Sequence, residues 1–277
     1  MSTIVVGQEN STPIELSYED HGDGPPVVLL HGWPVDSRSW EPQLHPLLTA
    51  GYRVITYDRR GHSASAPATG TVEDDVADAA ALIEQVGGGR AHVYGNSYGG
   101  VIALRLAAAQ ADLVRTVAVH EPAAFGVLAG EEHDGVDVMT AEAAVLDLIR
   151  TGAFRDAARQ FVERVAFGPG GWDLMPEEFR EVLTRNAPTY LEESDDPGAD
   201  FIDLTALARS GVPVRLSYGD QSLPAFRKVV HRIATDVPSA TVVGLGATGH
   251  VPQVTHPQLM TESLLAWLRP APIATPA

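Results

Sequence analysis

The feature that most constrains the fold is a G-x-S-x-G pattern, GNSYG, at residues 95–99. An apolar run at 91–94 precedes it and apolar residues at helical spacing follow it, so the serine lies where a strand turns into a helix. A serine on so sharp a turn is held in a strained backbone conformation, and the glycines beside it avoid collisions with neighbouring backbone. We therefore predict that Ser97 is a nucleophile, presented at the N-terminus of that helix.

Short apolar runs alternate with helix-period segments along much of the chain. Strands are predicted at residues 27–30, 53–57, 91–94, 114–119, 212–218 and 240–243, and helices at 42–50, 72–86, 98–111 and 257–268. Parallel strands joined by crossover helices have this alternation, because each helix must return the chain to the same end of the sheet. The pattern predicts an α/β fold built on one sheet.

The character of the chain changes after Glu121. Residues 141–149, 154–165 and 177–185 carry apolar residues at helical spacing, and no convincing strand lies between these segments. We interpret residues 122–209 as a helical cap inserted into a core that consists of residues 1–121 and 210–277.

Composition excludes several classes of protein. The 36 acidic and 19 basic side chains give a formal net charge of −17, which opposes binding to nucleic acid or to an anionic membrane. Because cysteine is absent, thiolate nucleophiles and disulfides are excluded. No apolar run is long enough to cross a bilayer, and the first residues lack the features of a secretion signal. We expect a soluble cytoplasmic protein with a small-molecule substrate and neither nucleic-acid nor membrane partners; a homodimer stays open.

The candidate base is His250, within the sequence GATGHVP at residues 246–252. It follows the last predicted strand, so its loop can reach the sheet edge that carries Ser97, and its position fits the chain order nucleophile, acid, histidine. An oxyanion needs two N–H donors, which we expect from Tyr98, directly after the nucleophile, and from the loop HGWP at residues 31–34.

Four short motifs occur in an order that resembles the α/β-hydrolase fold. They are HGWP at 31–34, DRRGHS at 58–63, GNSYGG at 95–100 and GH at 249–250. The resemblance covers nearly the whole chain except the cap. It implies a mostly parallel eight-stranded sheet flanked by helices, and it implies that the backbone amides of Trp33 and Tyr98 form the oxyanion hole.

Two carboxylates compete for the role of triad acid. In most members of the family the acid follows the penultimate strand in a G-x-x-D pattern, but this chain has GDQS at residues 219–222, with Ser222 at the usual aspartate position and Asp220 two residues earlier. Glu121 follows the strand after the nucleophile helix, and this placement resembles lactone hydrolases of the zearalenone type. We favour Glu121 because its loop best fits the orienting role, and Asp220 stays open as the alternative.

These residues together predict a serine hydrolase that cleaves an ester or lactone through an acyl-serine intermediate, with no cofactor and no metal. Serine rather than aspartate at position 97 argues against the chemistry of haloalkane dehalogenases and epoxide hydrolases. A C–C bond hydrolase, a cofactor-free haloperoxidase and a slow-turnover ligand receptor stay open. Apolar cap residues are expected either to line the pocket or to form plain core; they are Phe125, Phe161, Phe167, Trp172, Leu174 and Met175.

Overall fold

A computed structural model describes residues 1–9, 12–65, 67–68, 70–129 and 136–269 of the chain. The end of the predicted core segment, residues 270–277, therefore lies outside the described residues. Across the described part, no helix combines the length and the hydropathy that a bilayer-spanning segment requires.

The centre of the molecule is an eight-stranded sheet, as the resemblance implied. Its strands are β1 Ser2–Glu9, β2 Thr12–His21, β3 Pro26–Leu30, β4 Arg53–Tyr57, β5 Ala91–Asn96, β6 Val114–His120, β7 Val214–Tyr218 and β8 Ala240–Gly244. Their order across the sheet is β1-β2-β4-β3-β5-β6-β7-β8. β1 and β2 pair antiparallel with each other, β2 pairs antiparallel with β4, and every other neighbouring pair is parallel. The predicted α/β fold class is confirmed.

The two N-terminal strands escaped the sequence analysis. In β2 the buried Ile14 and Leu16 alternate with the exposed Glu15, which is the period-two pattern of a strand with one face in water. Charged residues within and after this segment hid the alternation, whereas the parallel strands are near-continuous apolar runs that are easily recognised.

Helices cover both faces of the sheet and fill the cap. They are α1 Glu41–Thr49, α2 Val72–Gln85, α3 Tyr98–Ala109, α4 Val136–Arg150, α5 Phe154–Phe161, α6 Glu177–Asn186, α7 Thr189–Asp195, α8 Leu204–Arg209, α9 Pro224–Asp236, α10 Pro252–Thr255 and α11 Pro257–Leu268. The amphipathic α9 between β7 and β8 was not predicted, and the predicted helix over 154–165 continues beyond α5 as a π-helical turn, Val162–Ala166.

Alternate residues of the central strands belong to two separate hydrophobic clusters, one on each face of the sheet. Val28 and Leu30 of β3 pack in a large cluster with side chains of α2, α3 and α9. Val27 and Leu29 point to the other face and pack with α1 and α11. Because every central strand is buried on both faces, it can be apolar at each position, as parallel sheets between two helical layers require.

Between β6 and β7 the described residues form helices and turns but no strand. α8, near the end of this segment, packs against α3, and its Leu207 belongs to the large core cluster. α8 therefore packs on the sheet core, although it falls within the segment predicted as the cap. The predicted cap boundary at residue 209 stays a prediction.

The turn between β5 and α3 brings backbone atoms into very close approach. Ser97 has φ 56° and ψ −124°, outside the regions that residues with a side chain usually adopt. A Cβ added to Gly95 would lie 2.2 Å from the carbonyl oxygen of Gly99, and one added to Gly99 would lie 2.3 Å from that of Leu30. Any larger residue at either position would collide with backbone atoms, and those atoms cannot move without displacing the strand or the helix to which they belong.

We expect Gly99→Ala to destabilise the protein by about 2 kcal/mol or more, because overpacking against fixed backbone displaces the β5–α3 turn. Gly7→Ala is the matched control, since a Cβ there would meet only the tip of Ile14 at 3.8 Å. Urea unfolding of the two variants measures the difference. Equal stability of both would contradict the close-packed turn.

Candidate active site

Ser97 and His250 line one cavity between the ends of the sheet strands and the cap. The cap contributes its apolar wall through Phe161, Val162, Ala166, Phe167, Phe179 and Leu183. Among the described lining residues none is an aspartate, glutamate, lysine or arginine. The candidate nucleophile and base thus both line one predominantly apolar cavity, where Ser97 is 8% and His250 1% exposed.

The imidazole of His250 is fully buried and held from two sides. Its Nδ1 lies 2.8 Å from Glu121 Oε2, and its ring stacks on Phe226 with 4.1 Å between the centroids. Its Nε2 has no hydrogen-bond partner within the described residues. With the Nδ1 proton directed at the carboxylate, Nε2 is the nitrogen that can accept a proton, as a general base requires.

The backbone at His250 is positioned by residues that the sequence analysis missed. Asn96 Nδ2 donates to the carbonyl oxygen of His250 at 2.9 Å, and Asn96 Oδ1 accepts from Gln253 Nε2 at 2.9 Å. Gln43 in turn donates to the carbonyl oxygen of Gln253 at 3.0 Å. These three side chains are buried. The only sequence signal was the place of Asn96 within the G-x-S-x-G pattern.

Glu121 is completely buried at the end of β6, and both of its carboxylate oxygens have partners. Besides the bond to His250, Oε1 accepts from the backbone N–H of Gly219 at 2.8 Å. The Glu121 backbone has φ 45°, and its N–H donates to the carbonyl oxygen of Ser217 at 3.0 Å. A left-handed backbone at a residue other than glycine is a strain that functional sites commonly hold.

The surroundings of Glu121 keep its carboxylate ionised. Burial alone would raise its pKa, but the neighbouring His120, the hydrogen bond with His250 and the N–H of Gly219 outweigh burial and lower the pKa below its usual value. Burial lowers the pKa of His120, despite the carboxylate beside it. An ionised Glu121 is the form that can stabilise an imidazolium at His250.

The alternative acid, Asp220, is not brought to His250. Its side chain is exposed, and its backbone N–H donates to the carbonyl oxygen of Gly246 at 2.8 Å. Ser222, at the usual aspartate position, has a buried hydroxyl oxygen without a partner in the described part of the chain. Of the two candidates, only Glu121 makes the hydrogen bond with the imidazole.

The loop after β3 runs directly beside the candidate nucleophile. A Cβ added to Gly32 would lie 2.9 Å from the Cβ of Ser97, so only glycine permits this approach. The backbone N–H groups of Trp33 and Tyr98 donate to no described residue. Both predicted oxyanion donors therefore belong to segments that border Ser97, and neither is bound within the described part of the chain.

The apolar cap residues named from the sequence separate into distinct environments. Phe161 and Phe167 line the cavity, while Phe125 packs against Phe226 with 5.3 Å between the ring centroids. Trp172 and Met175 belong to a small cluster with Leu183, and Leu174 is 87% exposed. Two of the six residues thus line the cavity. Helical spacing alone could not determine which ones do so.

Two further buried histidines hold loops in place. His31 Nδ1 donates to the carbonyl oxygen of Gly32 at 2.8 Å, and its Nε2 accepts from the N–H of Arg59 at 3.0 Å. Burial, reinforced by Arg59, lowers the pKa of His31 to about 4 and that of His62 well below its usual value.

Over the described residues, no group of three or more histidine, aspartate or glutamate side chains is arranged to hold a metal ion.

Comparison with known proteins assigns the family. A model of the alpha/beta hydrolase family matches residues 27–262, and the chain belongs to that family. A non-heme chloroperoxidase of Streptomyces lividans is 30% identical over 273 residues, covering 92% of this chain and 96% of that protein. Alignments with several other curated relatives span only 20% to 39% of those relatives' length.

Solved structures share the fold over nearly the whole chain. A thermophilic esterase from Thermogutta terrifontis superposes with a TM-score of 0.77 at 23% identity, covering 97% of this chain and 98% of that one. A bromoperoxidase from Bacillus anthracis superposes with a TM-score of 0.75 at 26% identity, covering 96% and 99%. Proteins named as esterases and as haloperoxidases are therefore both found among the structural neighbours.

Proposed function

We propose that this α/β hydrolase cleaves a carboxylic ester or lactone of a moderately apolar small molecule through an acyl-serine intermediate. The observation that carries the proposal is the 2.8 Å bond between Glu121 and His250 Nδ1, which leaves Nε2 as the proton acceptor in the cavity that Ser97 also lines. A nucleophilic hydroxyl, a base and an orienting carboxylate are the three groups that acyl transfer at a serine needs.

In the first half of the reaction, Ser97 Oγ attacks the carbonyl carbon while His250 Nε2 accepts its proton. The N–H groups of Trp33 and Tyr98 stabilise the oxyanion of the tetrahedral intermediate, and Glu121 stabilises the imidazolium. When the intermediate collapses, His250 returns the proton to the departing alkoxide, and the alcohol leaves. The acyl group is then bound to Ser97.

In the second half, water takes the place of the alcohol. His250 removes a proton from the water as it attacks the acyl carbon, and the same two amides stabilise the second oxyanion. Collapse returns the proton to Ser97 Oγ and releases the carboxylic acid. For a lactone, the alcohol and the acid are the two ends of one product.

The cavity walls favour an uncharged, apolar substrate. The six cap residues on the cavity wall are all apolar, and none of the described lining residues carries an acidic or basic side chain apart from the imidazole. The net charge of −17 also disfavours the approach of anionic substrates. Burial of apolar substrate area against the cap supplies the binding free energy, and the few polar groups determine orientation.

A second candidate function is peroxide-dependent halogenation, favoured by the 30% identical chloroperoxidase relative and the bromoperoxidase neighbour. In this reaction hydrogen peroxide rather than water attacks the acyl-serine, which releases a peroxycarboxylic acid and regenerates the Ser97 hydroxyl. The peracid then transfers its terminal hydroxyl oxygen to a halide ion as the O–O bond breaks, which yields the carboxylate and a hypohalous acid. The same nucleophile and base serve both reactions.

We expect repeated rapid turnover of short-chain p-nitrophenyl esters and loss of this activity in Ser97→Ala. The loss should reach about a million-fold in kcat, since removal of a serine nucleophile disables the whole triad. Release of p-nitrophenol and labelling by a fluorophosphonate probe measure it. A single slow event with a ligand-induced rise in Tm, in place of turnover, would instead indicate a receptor.

The assignment of the acid is tested by isosteric amides. Glu121→Gln should lower kcat by about a thousand- to ten-thousand-fold, because the amide no longer stabilises the imidazolium or fixes its tautomer. Asp220→Asn, whose side chain is exposed, is the matched control and should keep the parental rate. The opposite ranking of the two variants would transfer the role to Asp220.

The halogenation reaction is checked by adding hydrogen peroxide and bromide to the ester assay and following bromination of an indicator dye. We expect peracid-dependent bromination that disappears in Ser97→Ala, since both reactions require the acyl-serine. Bromination that persists in this variant would contradict a shared intermediate. Ester hydrolysis without bromination would restrict the enzyme to water as the acceptor.

A further inference from the structure

Asn186, the last residue of α6 in the cap segment, is buried against the loop that carries the Trp33 amide. It is 1% exposed. Its Nδ2 donates to the carbonyl oxygens of Pro34 at 3.1 Å and Val35 at 3.2 Å. These are the two residues that follow Trp33, so a cap side chain binds the backbone of a core loop across the interface.

The orientation of the Asn186 amide follows from its partners. Its Oδ1 accepts from the backbone N–H of Ser63 at 3.0 Å, so the NH2 group must face the two carbonyl oxygens, which can only accept. Aspartate at this position would keep the bond to Ser63 but direct a carboxylate oxygen at two carbonyl oxygens. Asparagine satisfies donors and acceptors at once, which aspartate cannot do.

The loop is restrained on both sides of the Trp33 amide. On the core side, His31 Nδ1 donates to the carbonyl oxygen of Gly32, which belongs to the same peptide group as the Trp33 N–H. On the cap side, Asn186 binds the carbonyl groups of Pro34 and Val35. The Trp33 ring is also clamped by the cap, stacking on Tyr190 with 4.5 Å between the ring centroids.

From these contacts we propose that Asn186 is a positioning residue, through which the cap holds the Trp33 N–H in place for the oxyanion. This inference rests on the proposed function, since it assigns a task in that reaction to a residue that touches no reacting atom. An oxyanion donor acts mainly in the transition state, so displacement of the Trp33 N–H should lower kcat more than it alters KM.

The test compares Asn186→Asp and Asn186→Ala with the parent protein. Thr184→Ala is the matched control, because Thr184 lies on the same helix and its hydroxyl donates only within that helix, to the carbonyl oxygen of Arg180. We expect kcat for p-nitrophenyl esters to fall by about 10- to 100-fold in Asn186→Asp and less in Asn186→Ala, with KM changed by less than about threefold. Thr184→Ala should match the parent.

A second readout separates positioning from a merely structural role. A trifluoromethyl ketone forms a tetrahedral oxyanion on the serine, so its affinity should fall in parallel with kcat/KM. In the Ser97→Ala background, where this adduct cannot form, Asn186→Asp should leave the affinity for the ketone unchanged. Hydrogen exchange at the Trp33 amide should also rise in Asn186→Asp.

Three outcomes distinguish the two proposals. A parallel loss of kcat and of ketone affinity supports the positioning role. Parental kcat and ketone affinity in a folded Asn186→Asp variant, or a change in KM alone, overturns it and leaves the hydrolase proposal intact. A parent protein that neither hydrolyses the esters nor reacts with fluorophosphonate overturns both, and the positioning role fails with the reaction it serves.

Discussion

The hydrogen bond between Glu121 Oε2 and His250 Nδ1 joins the end of β6 to the loop after β8, and the organisation of the site depends on it. A carboxylate with no exposed surface is tolerated only when both oxygens are bound, because its desolvation is otherwise too costly. The Gly219 N–H supplies the second partner. Three strand ends therefore converge on one side chain, and the imidazole takes its orientation from that convergence.

The same convergence accounts for the position of the proposed acid directly after β6. The left-handed backbone of Glu121 turns its side chain back over the strand ends, where the loop after β7 presents a backbone N–H rather than a side chain. Ser222 occupies the position that an aspartate would use, and Asp220 remains in solvent. The loop after β7 thus contacts the proposed acid through the backbone N–H of Gly219. A backbone contact does not depend on the side chains of the loop, except that close packing requires glycine at position 219. A Cβ there would lie 2.1 Å from the carbonyl oxygen of Thr248.

The cap does more than cover the cavity. Its apolar residues form one wall, and its polar residues hold core loops through buried hydrogen bonds, as Asn186 does for the loop after Trp33. Glu193 of α7 pairs with the buried Arg59, whose guanidinium lies over the Tyr98 ring, 4.5 Å from its centroid. The loop that carries Trp33 therefore contacts the cap directly, and Tyr98 is linked to the cap through Arg59.

The sequence alone was sufficient to predict the fold class, the nucleophile and the base as candidates. Glycines around Ser97 and the position of His250 after the last strand are local signals, since they reflect backbone geometry that only a few residue types permit. The antiparallel β1 and β2 were missed because a strand with one face in water mixes polar and apolar residues.

The partners of these residues required the tertiary structure. Glu121 and His250 are separated by 129 positions, and Asn186 by more than 150 from the carbonyl groups that it binds. Whether Glu121 or Asp220 reaches the imidazole depends on how the strand ends meet and on a left-handed backbone at one residue. Sequence patterns report local conformation and burial, whereas hydrogen bonds between distant loops arise only when the sheet and the cap have packed.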